Sequence, residues 1–457
     1  MRATSTSIAE LDAGLDGRII MPYDTLYDEA RTMFYGGYDL RPAVIVRAGS
    51  VDDVVRTIAY AQDAGRELAV RSGGHSGAGH SSTDGGVQLD LSDLRALDID
   101  VEGRTAWVGS GLTAREYTVA TGAHGLATGF GDAGTVGIGG ITLGGGVGFL
   151  VRKYGLTIDD LLAADIVTAD GRIRRVDAET EPDLFWAIRG GGGNFGVATR
   201  FRFRLHPVDT VMGGMLFLPA TPDVISAFIA EAEAAPDALS SIATVMVAPP
   251  MPFLPPELVG EPILLAMMVH SDGGEAGERA IEPFRVLAAP IADFLRPMPY
   301  PEMYMVDDGE HPPRFASRTM FVDGIDATLA GTIVERLVAS TAMMSAVQLR
   351  VLGGAMARVP VDATAFAHRD RRIMANVATL FEHPDEEATH QAWVTGLHDV
   401  LRSDTPGAYV NFLGDEGEER VHEAYPGQTW DRLARIKAEV DPANVFHRNQ
   451  NIPPADR

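Results

Sequence analysis

The spacing of apolar and polar positions switches between two periods along the chain, and the switch points outline its elements. The run 42–49, PAVIVRAG, reads as a short apolar strand. VDDVVRTIAYAQDAG then repeats apolar residues at i, i+3 and i+4 and stops at Gly65, which predicts a helix, and ELAVRSGG is a second strand opening into a glycine-rich loop. Together they predict a βαβ unit over 42–74. GVQLDLSDL and RTAWVGSG read as further strands, and 112–124 as a short helix ending before Gly125. Next, RKYGLTIDDLLAADIVTADGRIRRV predicts a turn, a buried strand and a hairpin at Ala169-Asp170-Gly171. EPDLFWAIRGGGGNFGVATRFRFRL predicts a helix from about Pro182, stopped by four glycines, and then an alternating strand.

Near residues 206–218 the texture changes. Alternating strands (MLFLPA, AMMVH, SAVQLRVLGG) mix with Ala/Glu helices such as DVISAFIAEAEAA, which predicts an antiparallel sheet with helices on one face. APPMPFLPPELVGEP reads as a connection, because proline cannot donate to a sheet ladder.

Glycine distribution is the strongest local signal: ten of the twenty residues from Gly129 to Gly148 are glycine. That density is poor for a core element, since glycine adds backbone entropy and no packing. It suits a surface where a flat or phosphorylated ligand meets the backbone; a close-packed glycine hairpin without ligand is the alternative. The two G-x-G-x-x-G matches, at Gly129 and Gly191, lack the strand-then-helix order of a dinucleotide turn.

Charge and composition remove whole classes of function. With 38 Lys+Arg against 63 Asp+Glu the 457-residue chain carries −25, which repels a phosphate backbone or an anionic membrane, so neither nucleic acid nor membrane is an expected partner. No cysteine is present, which rules out disulfides, thiolate metal sites and cysteine nucleophiles. Lys153 and Lys437 are the only lysines and neither sits in a Walker A loop. His75 and His80 are five apart without carboxylates at matching spacing, so no metal site is expected. The first twenty residues lack the apolar run of a signal peptide, so the expected location is cytoplasmic.

Several motifs then occur in a telling order: Arg71-Ser72-Gly73-Gly74-His75-Ser76; Gly131-Asp132-Ala133-Gly134-Thr135-Val136 running to Gly139-Gly140; Gly144-Gly145-Gly146; Arg189 to Gly196; Tyr409-Val410-Asn411; and Asn449-Gln450-Asn451. From about residue 40 to 454 the chain resembles the berberine-bridge-enzyme-like branch of the vanillyl-alcohol-oxidase (PCMH-type) FAD-linked oxidoreductases. The resemblance implies a two-lobed α+β fold. Residues 1–205 would form an FAD-binding domain, 206–407 a substrate domain on an antiparallel sheet, and 408–457 a segment returning to the first lobe.

It also implies site residues. The cofactor set is Arg71 to Ser76, His80, Gly131, Asp132, Thr135, Val136, Gly139, Gly140, Gly144 to Gly146, Val197, Tyr409, Asn411, Asn449 and Asn451, with backbone N–H groups of the glycine loops cradling the pyrophosphate. His75 matches the position of the 8α-histidyl bond to FAD, with His80 its neighbour. Many relatives add a cysteine bond to the flavin at the position held here by Ala133, so one covalent bond at most is expected. Val136 stands where a small residue goes with oxygen as acceptor. Tyr409, with Asn411, matches the catalytic Tyr-x-Asn, although a phenol of pKa about 10 needs a neighbour to act as a base near neutrality. A packing role for Tyr409, as a strand residue bonded to Asn411, is the alternative.

The expected activity is an oxidase that moves a hydride from an alcohol or amine carbon of a small substrate to FAD and on to oxygen. A dehydrogenase with another acceptor and a flavin-carrying binding protein are the rivals; oligomeric state is left open. In the middle region His270, Tyr304, Arg314, Arg350 and His368 are candidate pocket residues, and Met246, Met267 and Met268 read as core. The cluster Asp415-Glu416-Glu418-Glu419 reads as a solvated face.

Overall fold

A computed structural model of the chain describes residues 7–304, 313–402, 404 and 406–456. Its first sheet grows from the strands Val44–Arg47, Leu68–Arg71 and Val87–Asp90, the last lying between the other two and parallel to both. The predicted βαβ unit is therefore present but opened by a later strand. Ser50 caps the helix Val51–Asp63 in a reciprocal box with Asp53, and Val54, Ile58 and Ala61 bury one face against Val44, Val46 and Leu89.

A second sheet is wholly antiparallel, ordered Leu97–Asp100, Thr105–Gly109, Val197–Arg204, Leu161–Val167, Ile173–Asp177. The helix Pro182–Ile188 begins on its proline, as predicted, and its Phe185 and Trp186 join the core beside this sheet. Part of the glycine-rich stretch is helical. Ile138–Leu143 is a short helix with Ile138 and Thr142 buried. A Cβ on Gly139 would lie 3.0 Å from the Ser72 hydroxyl, so close tertiary packing overrides glycine's poor helix propensity.

The third sheet has eight antiparallel strands, all between Thr210 and Phe381. Its central strands are Pro262–His270, Leu239–Val247, Met344–Val351 and Ile373–Phe381. The helices Pro222–Ala234, Gly274–Arg285, Ala327–Val338 and Glu387–Leu401 cover one face, where Val347, Leu349, Ala375 and Val377 point. The intervening residues Ala346, Gln348, Arg350, Asn376 and Ala378 point the other way, toward the first two sheets. Met246 and Met268 are buried and Met267 is partly buried against the core, as read from sequence.

Beyond this sheet the chain returns to its N-terminal half. Leu433 and Val440 of the helix Gln428–Val440 pack in one core with Trp186 and Phe201. The fully buried Lys437 ammonium donates to the carbonyls of Asn194 (2.7 Å) and Phe446 (2.9 Å) and to Asp441 (2.6 Å). Tyr409 is not a strand residue; it precedes a 3₁₀ turn, Val410–Phe412. The acidic cluster is not uniformly solvated either. The Glu416 side chain is only 2% exposed, because Arg318 and Arg420 close over its carboxylate. Among the described residues no helix is long and apolar enough to cross a membrane.

Candidate functional site

A cavity of about 600 Å³ separates the uncovered face of the eight-stranded sheet from the glycine loops. Its floor comes from residues 72–77, 131–141, 192–194 and 446–450, and its roof from the sheet. The floor loops interlock through bare backbone. A Cβ on Gly73 would stand 2.2 Å from the Gly137 nitrogen, and one on Gly137 would stand 2.3 Å from the Gly73 nitrogen, so neither position has room for a side chain. Ser72 ties them: its hydroxyl donates to the Ser110 carbonyl (2.7 Å) and accepts from the Gly139 N–H (3.3 Å). The His75 ring faces the cavity, stacked on Phe34 at 4.0 Å. His80 lines the same wall, and burial lowers its pKa to about 4, so it is neutral at pH 7.

Tyr409 closes one side and is fully buried. Its phenolic oxygen accepts two hydrogen bonds, from the Gly146 N–H and from Asn411 Nδ2, each at 2.9 Å. Asn411 is held by a second bond from Nδ2 to the Ile141 carbonyl (3.1 Å). Burial raises the Tyr409 pKa above the usual phenol value, while both donors and the nearby Arg350 charge oppose the rise. Arg350 reaches down from the roof strand to Asp132 in the floor loop (Nη2 to Oδ2, 2.7 Å) and lies over the Phe412 ring.

Comparison with known proteins fits this arrangement. A model described as an FAD binding domain matches residues 42–177, and one described as berberine and berberine like matches 408–453. (R)-6-hydroxynicotine oxidase of Paenarthrobacter nicotinovorans is 30% identical, with 96% of this chain and 97% of that protein aligned. The chain belongs to the berberine-bridge-enzyme-like FAD-linked oxidoreductases. Berberine bridge enzyme-like C-1 of Nicotiana tabacum is 27% identical over 91% of this chain and 85% of its own. The solved structure of 6-hydroxy-D-nicotine oxidase from Arthrobacter nicotinovorans superposes with a TM-score of 0.86 at 27% identity, covering 97% and 99% of the two chains.

The protein is thus an FAD-linked enzyme, and the cavity fits a berberine-bridge-like flavin site. The floor offers bare glycine backbone at Gly73, Gly74, Gly131, Gly140 and Gly193. Among the described residues the buried side-chain oxygens of Ser81 and Asn449 on its wall have no partner, as expected of groups that complete their bonds to a bound cofactor. Arg448 adds a cation, oriented by its bond to the Ser82 carbonyl (3.0 Å).

Of the residues singled out from sequence, the wall includes Ser72 to Ser76, His80, Gly131, Asp132, Val136, Gly140, Tyr409, Asn411 and Asn449, along with Ala133. Others stand behind it. Arg71 donates to the carbonyls of Ala30 (3.0 Å) and Thr32 (2.7 Å), bracing the segment that carries Phe34. Gly144 to Gly146 back the Tyr409–Asn411 pair; a Cβ on Gly144 would sit 2.0 Å from Asn411 Oδ1. Thr135 and Gly139 lie outside the wall, Val197 is a core residue of its strand, and Asn451 is near the wall without lining it.

Of the candidate pocket residues in the middle region, Arg350 alone lines the cavity. Tyr304 pairs with Tyr300 in the core, His368 bonds the Glu423 carbonyl, His270 ends a buried strand, and Arg314 pairs with Glu387. Sequence reading missed Asn194, which accepts from the Ile452 N–H (2.9 Å) and donates to the Gln450 carbonyl (3.1 Å), fastening the returning segment to the second glycine nest. It also missed Tyr35, stacked on Phe315 at 4.0 Å across the cavity mouth. An adjacent Phe-Tyr pair ahead of the first motif was the available signal.

Proposed function

We propose that the protein is an oxidase that carries its FAD on a single covalent bond from His75, oxidises an alcohol or amine carbon of a small molecule, and uses oxygen as acceptor. The reading rests chiefly on Tyr409, whose oxygen is held by two N–H donors on the wall of the cavity that His75 also lines. FAD, when bound, supplies the hydride acceptor and hands the electrons to oxygen. In its phenolate form Tyr409 takes the O–H or N–H proton of the substrate at its oxygen. Gly146 and Asn411 donate to that oxygen and favour the phenolate, and burial keeps bulk water from competing for the proton. Ala133 lines the wall without a thiol, which supports a single bond, and Val136, also on the wall, supports access for oxygen.

The test has two arms. Yellow colour that stays with acid-precipitated protein supports the His75 bond, and colour released into the supernatant removes it. Oxygen uptake with peroxide release in a screen of alcohols and amines supports the oxidase. Flavin bleached by a substrate under nitrogen but not recoloured by air would instead identify a dehydrogenase.

A further inference from the structure

Arg350 is the unusual charge of the cavity. It is 4% exposed, and its one ion-pair partner, Asp132, is reached through Nη2 alone. Nε and Nη1 are both buried and have no acceptor among the described residues. A guanidinium taken out of water with two of its three nitrogens unpartnered is costly unless something else supplies the acceptor. Its strand is fixed by neighbours on both sides, Leu239–Val247 and Ile373–Phe381, so the side chain is aimed by a rigid sheet.

The surroundings give the sign of the missing group. Among the described residues the cavity wall carries one carboxylate, Asp132, already engaged by Arg350; the other guanidinium, Arg448, belongs to the cofactor floor and lies 3.7 Å from Glu67. Gln348 and Asn376, the polar roof neighbours, are uncharged. A cationic amine would find no free carboxylate here, whereas an anion would complete the arginine.

We infer that the substrate bears an anionic group, a carboxylate in the simplest case, which is bound by the unpartnered edge of Arg350 between roof and floor. The inference deepens the proposed oxidase by naming a substrate class and takes the cavity as its substrate chamber. Arg350 acts here as a specificity residue: it anchors the anionic group of the substrate in the part of the cavity that Phe412 and Tyr409 also line.

The experiment is a titration of the flavin-loaded protein with benzoate, benzamide and benzylamine, followed by the perturbation of the visible flavin band. Benzoate is expected to bind about tenfold to a hundredfold more tightly than either neutral or cationic analogue, the range for a desolvated charge-assisted bond. Arg350→Met should abolish that preference with FAD still bound, and Arg350→Lys should keep part of it. Benzoate binding no better than benzamide to the wild type would overturn the inference, and this comparison stands even if the Met variant fails to fold. So would an Arg350→Met protein with an altered flavin spectrum and unchanged benzoate affinity, which would assign the arginine to the cofactor. Oxygen plays no part in the readout, so a dehydrogenase outcome in the screen of alcohols and amines would refute the oxidase and leave this inference standing, while loss of the benzoate preference would leave the oxidase standing.

Discussion

Replacing Tyr409 by Phe removes one oxygen and keeps the ring, which isolates the chemistry of that atom. Two donors lose their acceptor at once: the Gly146 N–H, which has no other use in the buried site, and one N–H of Asn411, whose other goes to Ile141. An unsatisfied buried donor costs about 1–3 kcal/mol, so the variant should be destabilised by about 2–6 kcal/mol, read as a lower urea midpoint. The kinetic effect is separate. Loss of a positioned base slows proton transfer by about 10²–10⁴-fold, about 3–5 kcal/mol of barrier. The assay is anaerobic stopped-flow decay of flavin absorbance with a substrate found in the oxygen screen. Burial raises the Tyr409 pKa, so only a small fraction is phenolate near neutrality, and the wild-type reduction rate should climb as pH rises. The variant should lose both the rate and the climb while its FAD content is unchanged. A reduction rate within about threefold of wild type, with the same pH profile, would refute Tyr409 as the base.

Three further outcomes are expected. His75→Ala should move flavin from the acid-precipitated pellet to the supernatant; colour remaining in the pellet would put the bond on another residue. Lys437→Met leaves the Asp441 carboxylate buried without its cation and should cost about 3–5 kcal/mol, measured by urea unfolding; an unchanged urea midpoint would count against the buried pair. His80 and His368 both have pKa values lowered by burial to about 4, against about 6.5 when unfolded. Between those values the unfolded chain binds the proton and the folded one does not, so stability falls as pH drops, by about 2 kcal/mol per histidine between pH 7 and pH 5. His368→Gln should remove its share of that slope, and an unchanged slope would count against the burial argument.

Local periodicity carried much of the fold, because the strands at 44–47 and 68–71 and the helices at 51–63 and 182–188 each bury a face that their own residues define. What it could not show was which strands become neighbours. Val87–Asp90 slides between two strands that are adjacent in sequence, a choice made by packing across the sheet. The site divides along the same line. Tyr409 and Asn411 were legible as a motif, but the Gly146 donor lies 263 residues away and only the fold brings it near. Arg350 stood beside four middle-region candidates that do not reach the cavity. Strand parity puts it there: it shares the face of Ala346 and Gln348, whereas Tyr304 and His368 lie off the strands, and parity depends on a register that local composition does not encode. The helix at 138–143 and the enclosed Glu416 were missed for a related reason, since propensity and charge describe a residue alone and not the neighbours that close over it.

The buried Lys437 contact bears on how the chamber is closed. Through the Asn194 and Phe446 carbonyls it clips the final stretch of chain onto a glycine nest made more than two hundred residues earlier, and that stretch contributes Tyr409, Asn411, Arg448 and Asn449 to the cavity. Without that stretch the sheet roof and the N-terminal glycine loops would face one another across an open cleft, lacking the Tyr409 side and part of the floor.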